Sequence, residues 1–194
     1  MSMNFTKILQ QTIETESLVR VYRRFAPTVP ICGYVAAVNE ELLAIHKVQA
    51  NVRFDGIVVV RTPDIGEVRT RGDDENFAKR ALAARGLDMP TIPVDISSWK
   101  SVIESTKESS PVVAFQSIID IDDADCHLTS LTYGSVVASR KESIRIRPID
   151  LGGVWQEREI EIPCEDLCRI DCAGVFERLL GELAREPNLE LDTE

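Results

Sequence analysis

Residues 31–60 read ICGYVAAVNEELLAIHKVQANVRFDGIVVV. Two β-rich stretches, 31–38 and 42–48, flank the polar residues 39–41, an arrangement that is typical of a β-hairpin. The run Ile57-Val58-Val59-Val60 is continuously β-branched, which predicts a third strand that is buried on both faces or lies at the closure of a barrel. This stretch therefore predicts three consecutive strands, the first two joined as a hairpin.

Further elements are predicted on the N-terminal side of this stretch and directly after it. Apolar residues at helical spacing predict a helix over residues 5–16. The alternation that starts at Leu18 predicts a strand, and Pro27 and Pro30 are expected to end that run. After the third strand, Pro63-Asp64 begins a turn that leads into a further strand containing Ile65 and Val68.

Two helices are predicted in the middle of the chain. The first covers residues 73–85 and ends at Gly86, with an apolar stripe of Phe77, Ala81 and Leu82. The second covers residues 97–107, with Ser97 or Asp95 as its N-cap, and its inward side chains are Trp99, Val102 and Ile103.

The second half of the chain repeats this order of elements. Strands are predicted over 112–115 and 127–138, around Ile144 and Ile146, and, after the turn at Gly152-Gly153, around Ile160 and Ile162. A last helix follows, with a stripe of Val175, Phe176, Leu179, Leu180 and Leu183.

The two halves align at two anchors. Gly33-Tyr34-Val35-Ala36-Ala37 matches Gly134-Ser135-Val136-Val137-Ala138 at an offset of 101 residues, and Asp64-Ile65 matches Asp166-Leu167 at an offset of 102. The predicted fold class is α+β, mainly β, with two tandem small β-barrel or half-barrel repeats, each followed by an amphipathic helix. The predicted domains are a first repeat over 1–90, a linker with a short helix over 91–111, and a second repeat over 112–194.

This pattern resembles two tandem small β-barrels of the Sm-like or SH3-like type. It is also similar to an uncharacterised bacterial family in which such a unit is duplicated. The second copy in that family has segments like Ser143–Ile149, Gly152-Gly153-Val154-Trp155, Ile160–Pro163 and residues 166–171 of this chain. The resemblance implies no catalytic residue and no cofactor.

Charge and composition narrow the classes of partner. The net charge is −10 over 194 residues. Residues 1–100 hold 13 basic and 12 acidic side chains, a net +1, whereas residues 101–194 hold 9 and 20, a net −11. Duplex DNA is therefore disfavoured as a partner, and a basic protein would suit the second half.

The compartment is predicted from the apolar runs and the cysteines. No apolar run approaches the roughly 20 residues that span a bilayer, and residues 1–12 are too polar for a signal peptide. The five cysteines are an odd number, which favours reduced thiols over a disulfide framework. A cytoplasmic protein without a membrane segment is expected.

Two groups of residues suggest a metal site. Cys164, Cys168 and Cys172 are four residues apart, a spacing that departs from zinc and iron–sulfur patterns. Cys126-His127 follows an acidic run, but that run does not match a calcium-binding loop. The members of the acidic run are Asp120, Asp122, Asp123 and Asp125. Buried structural thiols and a solvated acidic loop are favoured, and no metal ligand is assigned.

Catalytic chemistry has no clear candidate in the sequence. His46 lies in a predicted strand with no recognisable nucleophile motif beside it, so a surface or packed histidine is favoured over a general base. The chain has no phosphate-binding loop and no dinucleotide fingerprint. No catalytic or cofactor-binding residue is assigned, and a non-enzymatic protein is favoured.

The best basic-aromatic cluster lies on the first strand. Its members are Arg20, Tyr22, Arg23 and Arg24, with Phe25 beside them and Arg69 and Arg71 within reach. Such a cluster can stack bases and hold phosphates of single-stranded RNA.

Three hypotheses follow from these observations. The first is a non-catalytic protein-binding or scaffold module, of which a toxin-neutralising immunity protein is a specific version. The second is an Sm-like RNA-binding protein that uses the cluster on the first strand. The third is a metal-dependent or thiol enzyme that uses Cys126, His127 or the three later cysteines. The oligomeric state stays open.

Overall fold

A computed structural model describes residues 5–70, 72–90, 92–119 and 128–187, side chains at 72–76 and 128 excepted. The described chain is α+β and mainly β, with four α-helices and a ten-stranded antiparallel sheet. The helices are α1 (Phe5–Glu14), α2 (Gly72–Ala84), α3 (Trp99–Thr106) and α4 (Val175–Glu182). The strands of the first half are β1 (Leu18–Arg23), β2 (Ala26–Val38), β3 (Leu42–Val48), β4 (Phe54–Arg61) and β5 (Ile65–Thr70). Those of the second half are β6 (Val113–Ile119), β7 (Leu128–Ser139), β8 (Ser143–Ile149), β9 (Ile160–Pro163) and β10 (Leu167–Cys172).

The strand order places the two halves side by side in one sheet. The order is β5-β1-β2-β3-β4-β10-β6-β7-β8-β9, so the fifth strand of each half pairs with the first strand of that half. At the junction, β4 pairs antiparallel with β10, and Val59 lies opposite Ile170. The sheet is therefore continuous across the boundary between the halves.

Two apolar clusters flank β4. Val58 and Val60 belong to the core of the first half, together with Leu9 of α1. Ile57 and Val59 belong to a second core, which contains Trp99 and other residues of α3 as well as the strands of the second half. The prediction that this β-branched run is buried on both faces is confirmed, because each neighbouring core takes alternate side chains of the strand.

Matching backbone contacts recur in the two halves. The Thr62 N–H donates to the Glu41 carbonyl over 2.9 Å, and the Cys164 N–H donates to the Glu142 carbonyl over 2.9 Å. The β2–β3 ladder shifts register between Val35 and Ala37, and the β7–β8 ladder shifts between Val136 and Ala138. These positions differ by 101 or 102 residues, the same offsets as the sequence anchors.

Several predicted boundaries need correction. The strand predicted from residue 31 begins at Ala26 instead, and it includes Pro27 and Pro30. Both prolines are exposed and outside the paired positions of that ladder, where a missing N–H carries no penalty. The N-cap of α3 is Ser98, whose side chain accepts from the Ser101 N–H, while Asp95 accepts from the Ser97 N–H.

Two predicted apolar stripes are only partly buried. In α2, Leu82 and the neighbouring Ala78 are buried, but Phe77 is exposed. In α4, Leu180 is buried against Val112 and Ile149, whereas the rest of the predicted stripe faces outward. Each helix thus covers the sheet with a narrower face than its apolar residues suggest.

The two outer strands of the described sheet carry polar side chains. On β9 and the residue before it, Glu159 forms an ion pair with Arg145 over 3.1 Å, and the Ser143 hydroxyl donates to Glu161. On β5, Glu67 and Arg69 are exposed and paired with each other. Among the described helices, none is long and apolar enough to cross a membrane.

Candidate functional site

Strand β1 places two members of the predicted RNA-binding cluster on one face. Val19 and Val21 point into the first core, so Arg20 and Tyr22 point the other way. Arg20 lies opposite Arg69 of β5, and the Arg69 guanidinium stacks 4.7 Å from the centroid of the Tyr22 ring. The structure therefore brings Arg20, Tyr22 and Arg69 together on one surface.

Arg23 lies on the other face of β1, together with Val19 and Val21, because successive side chains of a strand alternate between its two faces. Arg23 is 4% exposed and donates from Nη1 to the Gln116 side chain of β6 over 2.7 Å. Burial lowers the pKa of Arg23, and the positive charge of Arg169 lowers it further. Arg23 thus links the two halves from inside.

Arg24 is exposed, but it is also held by the protein backbone. Its Nε donates to the Ile65 carbonyl over 3.3 Å, and its backbone N–H donates to the Asp64 carbonyl over 2.8 Å. Arg71 lies outside the described residues.

A pocket of about 490 Å³ opens beside Arg20. Three cationic side chains line it: Arg20 of β1, Lys47 of β3 and Arg169 of β10. The sequence analysis did not identify this pocket, because Lys47 and Arg169 are 122 residues apart and meet only through the junction of the two halves.

Two carboxylates outside the pocket lining hold two of these cations, Lys47 and Arg169, in place. Lys47 Nζ lies 2.7 Å from Asp55 Oδ2, and Asp55 Oδ1 accepts from the Val175 N–H over 2.9 Å. Burial raises the pKa of Asp55, but these hydrogen bonds lower it by more, so it lies below its ordinary value. Arg169 donates from Nε and Nη2 to the two carboxylate oxygens of Asp171, over 2.5 Å each.

The three later cysteines do not converge. Cys168 Sγ contacts the Gln116 carbonyl at 3.3 Å, whereas Cys172 Sγ lies 3.8 Å from the Ile57 carbonyl. Burial raises the pKa of Cys168 to about 11 and that of Cys172 to about 12, so both are protonated at neutral pH. Within the described ranges, no group of three or more His, Cys, Asp or Glu could hold a metal ion. Cys126, His127 and the acidic run lie outside those ranges.

His46 is packed inside the sheet. It is 7% exposed, and among the described residues its Nδ1 has no hydrogen-bond partner. Burial lowers its pKa below the ordinary value of 6.5. A neutral, enclosed imidazole of this kind is a packing residue.

Acidification is expected to destabilise the protein through His46. Below pH 6.5 the unfolded chain gains a proton at this side chain that the folded protein does not, so the free energy of unfolding falls as the pH falls. The limiting slope from one histidine is about 1.4 kcal/mol per pH unit. Urea unfolding of the wild type and His46→Leu between pH 7.5 and 5 measures the difference; identical pH slopes in the two proteins would contradict the prediction.

The outward face of α4 is apolar. Val175, Phe176, Leu179 and Leu183 are between 46% and 70% exposed. The Phe176 ring packs edge-on against Tyr133 of β7, with the centroids 5.2 Å apart. Leu151, in the turn that follows β8, is also exposed, and the neighbouring Gly153 carbonyl accepts from the Arg185 N–H just beyond α4. We use the name α4 surface for Leu151, Val175, Phe176, Leu179 and Leu183.

The predicted apolar stripe contains four of the five residues of the α4 surface, Leu151 being the exception, but the sequence did not indicate that these four are exposed. Apolar spacing alone does not show how wide a face the sheet can cover. Comparison of the chain with family models, with curated proteins and with solved structures finds no match.

Proposed function

We propose that the protein is a non-catalytic protein-binding or scaffold module of the cytoplasm. The α4 surface carries this proposal. Exposed apolar residues are ordinary when scattered, but a contiguous apolar face on one helix marks an interaction site. An aromatic side chain and several leucines on a fixed helix suit a partner that presents its own apolar face.

The architecture behind this module is proposed to be two tandem small barrels. Each half has five strands in the same order and a following helix; a helix also precedes each set of strands, α1 within the first repeat and α3 within the linker. The recurring contacts at offsets of 101 and 102 residues support a duplication, with repeats over 1–90 and 112–194 and a linker over 91–111. On this view α2 and α4 are equivalent helices, and Phe77 occupies the position equivalent to Leu179.

The chemistry of the partner follows from the charge of the second half. Residues 101–194 carry a net −11, so a partner with basic groups around an apolar centre would be attracted and then desolvated against the α4 surface. Inhibition of a basic toxin by an immunity protein is one interaction of this type.

The test is capture of a partner from lysate of the native host by wild type and Leu179→Asp, at low and high salt. We expect one stoichiometric protein that survives high salt with the wild type and is reduced at least tenfold by Leu179→Asp, because a carboxylate would be buried in the interface. The captured protein is then purified and titrated directly against both variants.

Phe77→Asp is the matched control, since it places the same charge on an exposed aromatic position of α2. Capture that is unchanged by Leu179→Asp, or equally reduced by Phe77→Asp, would count against the α4 surface. Leu183→Asp, at the C-cap of α4, repeats the test with minimal risk to folding because this side chain is 70% exposed.

Binding of single-stranded RNA is a second candidate, supported by the surface of Arg20, Tyr22 and Arg69. The stacked Tyr22–Arg69 pair offers an aromatic and a planar cation side by side. In the same capture experiment, RNA that is released by high salt and lost in Arg69→Gln would favour this candidate.

A further inference from the structure

We propose that the pocket lined by Arg20, Lys47 and Arg169 binds a small organic anion, with a phosphate or carboxylate group on an apolar body. This inference is independent of the α4 surface. It concerns a different face of the molecule and a different class of ligand.

The size and the position of the pocket favour a small molecule. Its volume of about 490 Å³ lies within the range of about 300–1,000 Å³ that small-molecule sites occupy. Its walls come from both halves of the chain, since Arg20 and Lys47 belong to the first half and Arg169 to the second. Ligand sites are common at such junctions.

The charged side chains that line the pocket are opposite in sign to the net charge of the protein. The chain has a net charge of −10, yet the described residues that line the pocket include three cations and no acid. Cations that line one concave site attract an anion more strongly than a dispersed set does, although Asp55 and Asp171 balance two of these three from outside the lining.

The ion pairs with Asp55 and Asp171 fix the positions of Lys47 and Arg169 before a ligand binds. Asp55 fixes the ammonium of Lys47, which has three N–H donors and directs one of them to that carboxylate. Asp171 takes Nε and Nη2 of Arg169, so the Nη1 donors lie outside that bidentate pair. Donors held in place by neighbouring groups lose less entropy when a ligand binds.

The remaining walls select the body of the ligand. Val29, Pro30, Ile31 and Val48 line the pocket next to the cations, and Gln49 adds an amide. Val29 is 63% exposed, so its side chain is accessible to the body of a ligand in the pocket. An apolar or aromatic body on these side chains, with its anionic group at the cations, satisfies both parts of the pocket.

The test uses 1-naphthyl phosphate as the probe, titrated by calorimetry into the full-length protein. We expect one-site binding that weakens at least tenfold in Arg20→Gln and is unchanged in Arg140→Gln, which removes an exposed charge between β7 and β8, outside the pocket lining. Inorganic phosphate keeps only the anionic group of the probe, and 1-naphthalenemethanol keeps only its aromatic body. Both should bind at least tenfold more weakly than 1-naphthyl phosphate.

Val29→Asp provides a second variant that leaves the buried core untouched, and Val137→Asp, at an exposed position of β7, is its control. A carboxylate at Val29 should abolish binding, whereas one at Val137 should not change it. The proposal is overturned by an absence of saturable binding up to about 10 mM probe, by equal affinity in Arg20→Gln, or by equal affinity for the neutral probe. Capture of a protein partner through α4 would stand in each of these cases.

Discussion

Gly33→Ala is expected to destabilise the folded protein by more than about 3 kcal/mol. A Cβ atom at Gly33 would overlap the carbonyl oxygen of His46 and the side chain of Ile45, both on the neighbouring strand β3. The overlap with His46 involves backbone, which cannot move without breaking the β2–β3 ladder. The equivalent substitution Gly134→Ala should also be severe, because its Cβ would lie 2.6 Å from the Arg147 carbonyl oxygen.

The measurement is the free energy of unfolding in urea for each variant, with Gly152→Ala as the control. A Cβ at Gly152 would come 3.2 Å from Asp150 Oδ1, a contact that a small shift of this side chain relieves without loss of its hydrogen bonds to the Gly152 and Val154 N–H groups, so this variant should lose less than about 1 kcal/mol. If Gly33→Ala and Gly152→Ala unfold at the same urea concentration, the result would contradict the close approach of the β2 and β3 backbones at Gly33.

Ile170→Ala is expected to lower the free energy of unfolding by about 2–5 kcal/mol. Ile170 is fully buried in β10, between Val59 of β4 and Phe115 of β6. Removal of its side chain opens a cavity at the junction, where the strand of one half pairs with a strand of the other. Because both halves share this strand, we expect a single unfolding transition that shifts as a whole.

Val68→Ala is the matched comparison for Ile170→Ala. Val68 lies 102 residues earlier, near the middle of β5, but this strand is at an outer edge of the sheet and Val68 is only half-buried. Its truncation should cost less than about 1 kcal/mol, since the site is open to water and little cavity remains. Equal losses in the two variants, measured by urea unfolding, would contradict the central position of β10.

The strands were largely predictable because their signals are local. Alternation around Ile144 and Ile146, the β-branched run at Ile57–Val60 and the polar residues at 39–41 all act over a few residues. The glycines at 33 and 134 were also visible as anchors, and the structure shows the reason, since both lie where two backbones approach closely. These local sequence patterns were therefore sufficient to predict a mainly β fold.

The candidate sites were less predictable because they depend on distant pairing. Arg23 was grouped with Arg20 because of its charge, but alternation along β1 places it with Val19 and Val21 on the inward face, where it contacts Gln116, 93 residues away in sequence. Arg169 reaches the pocket only because β10 pairs with β4. Neither the partner of Arg23 nor the pairing of β10 with β4 can be deduced from the local pattern of apolar residues.

The polar outer strands have a consequence for how the protein behaves at high concentration. A sheet held together at its centre by strand pairing is a template that further chains could extend into fibrils. At one end, however, an added strand would have to dehydrate Glu159 and Glu161, and Pro163 withholds an N–H from that edge; at the other, it would meet Glu67 and Arg69. The charged side chains on both outer strands therefore disfavour the addition of a strand from another chain. They protect the sheet against growth into a fibril.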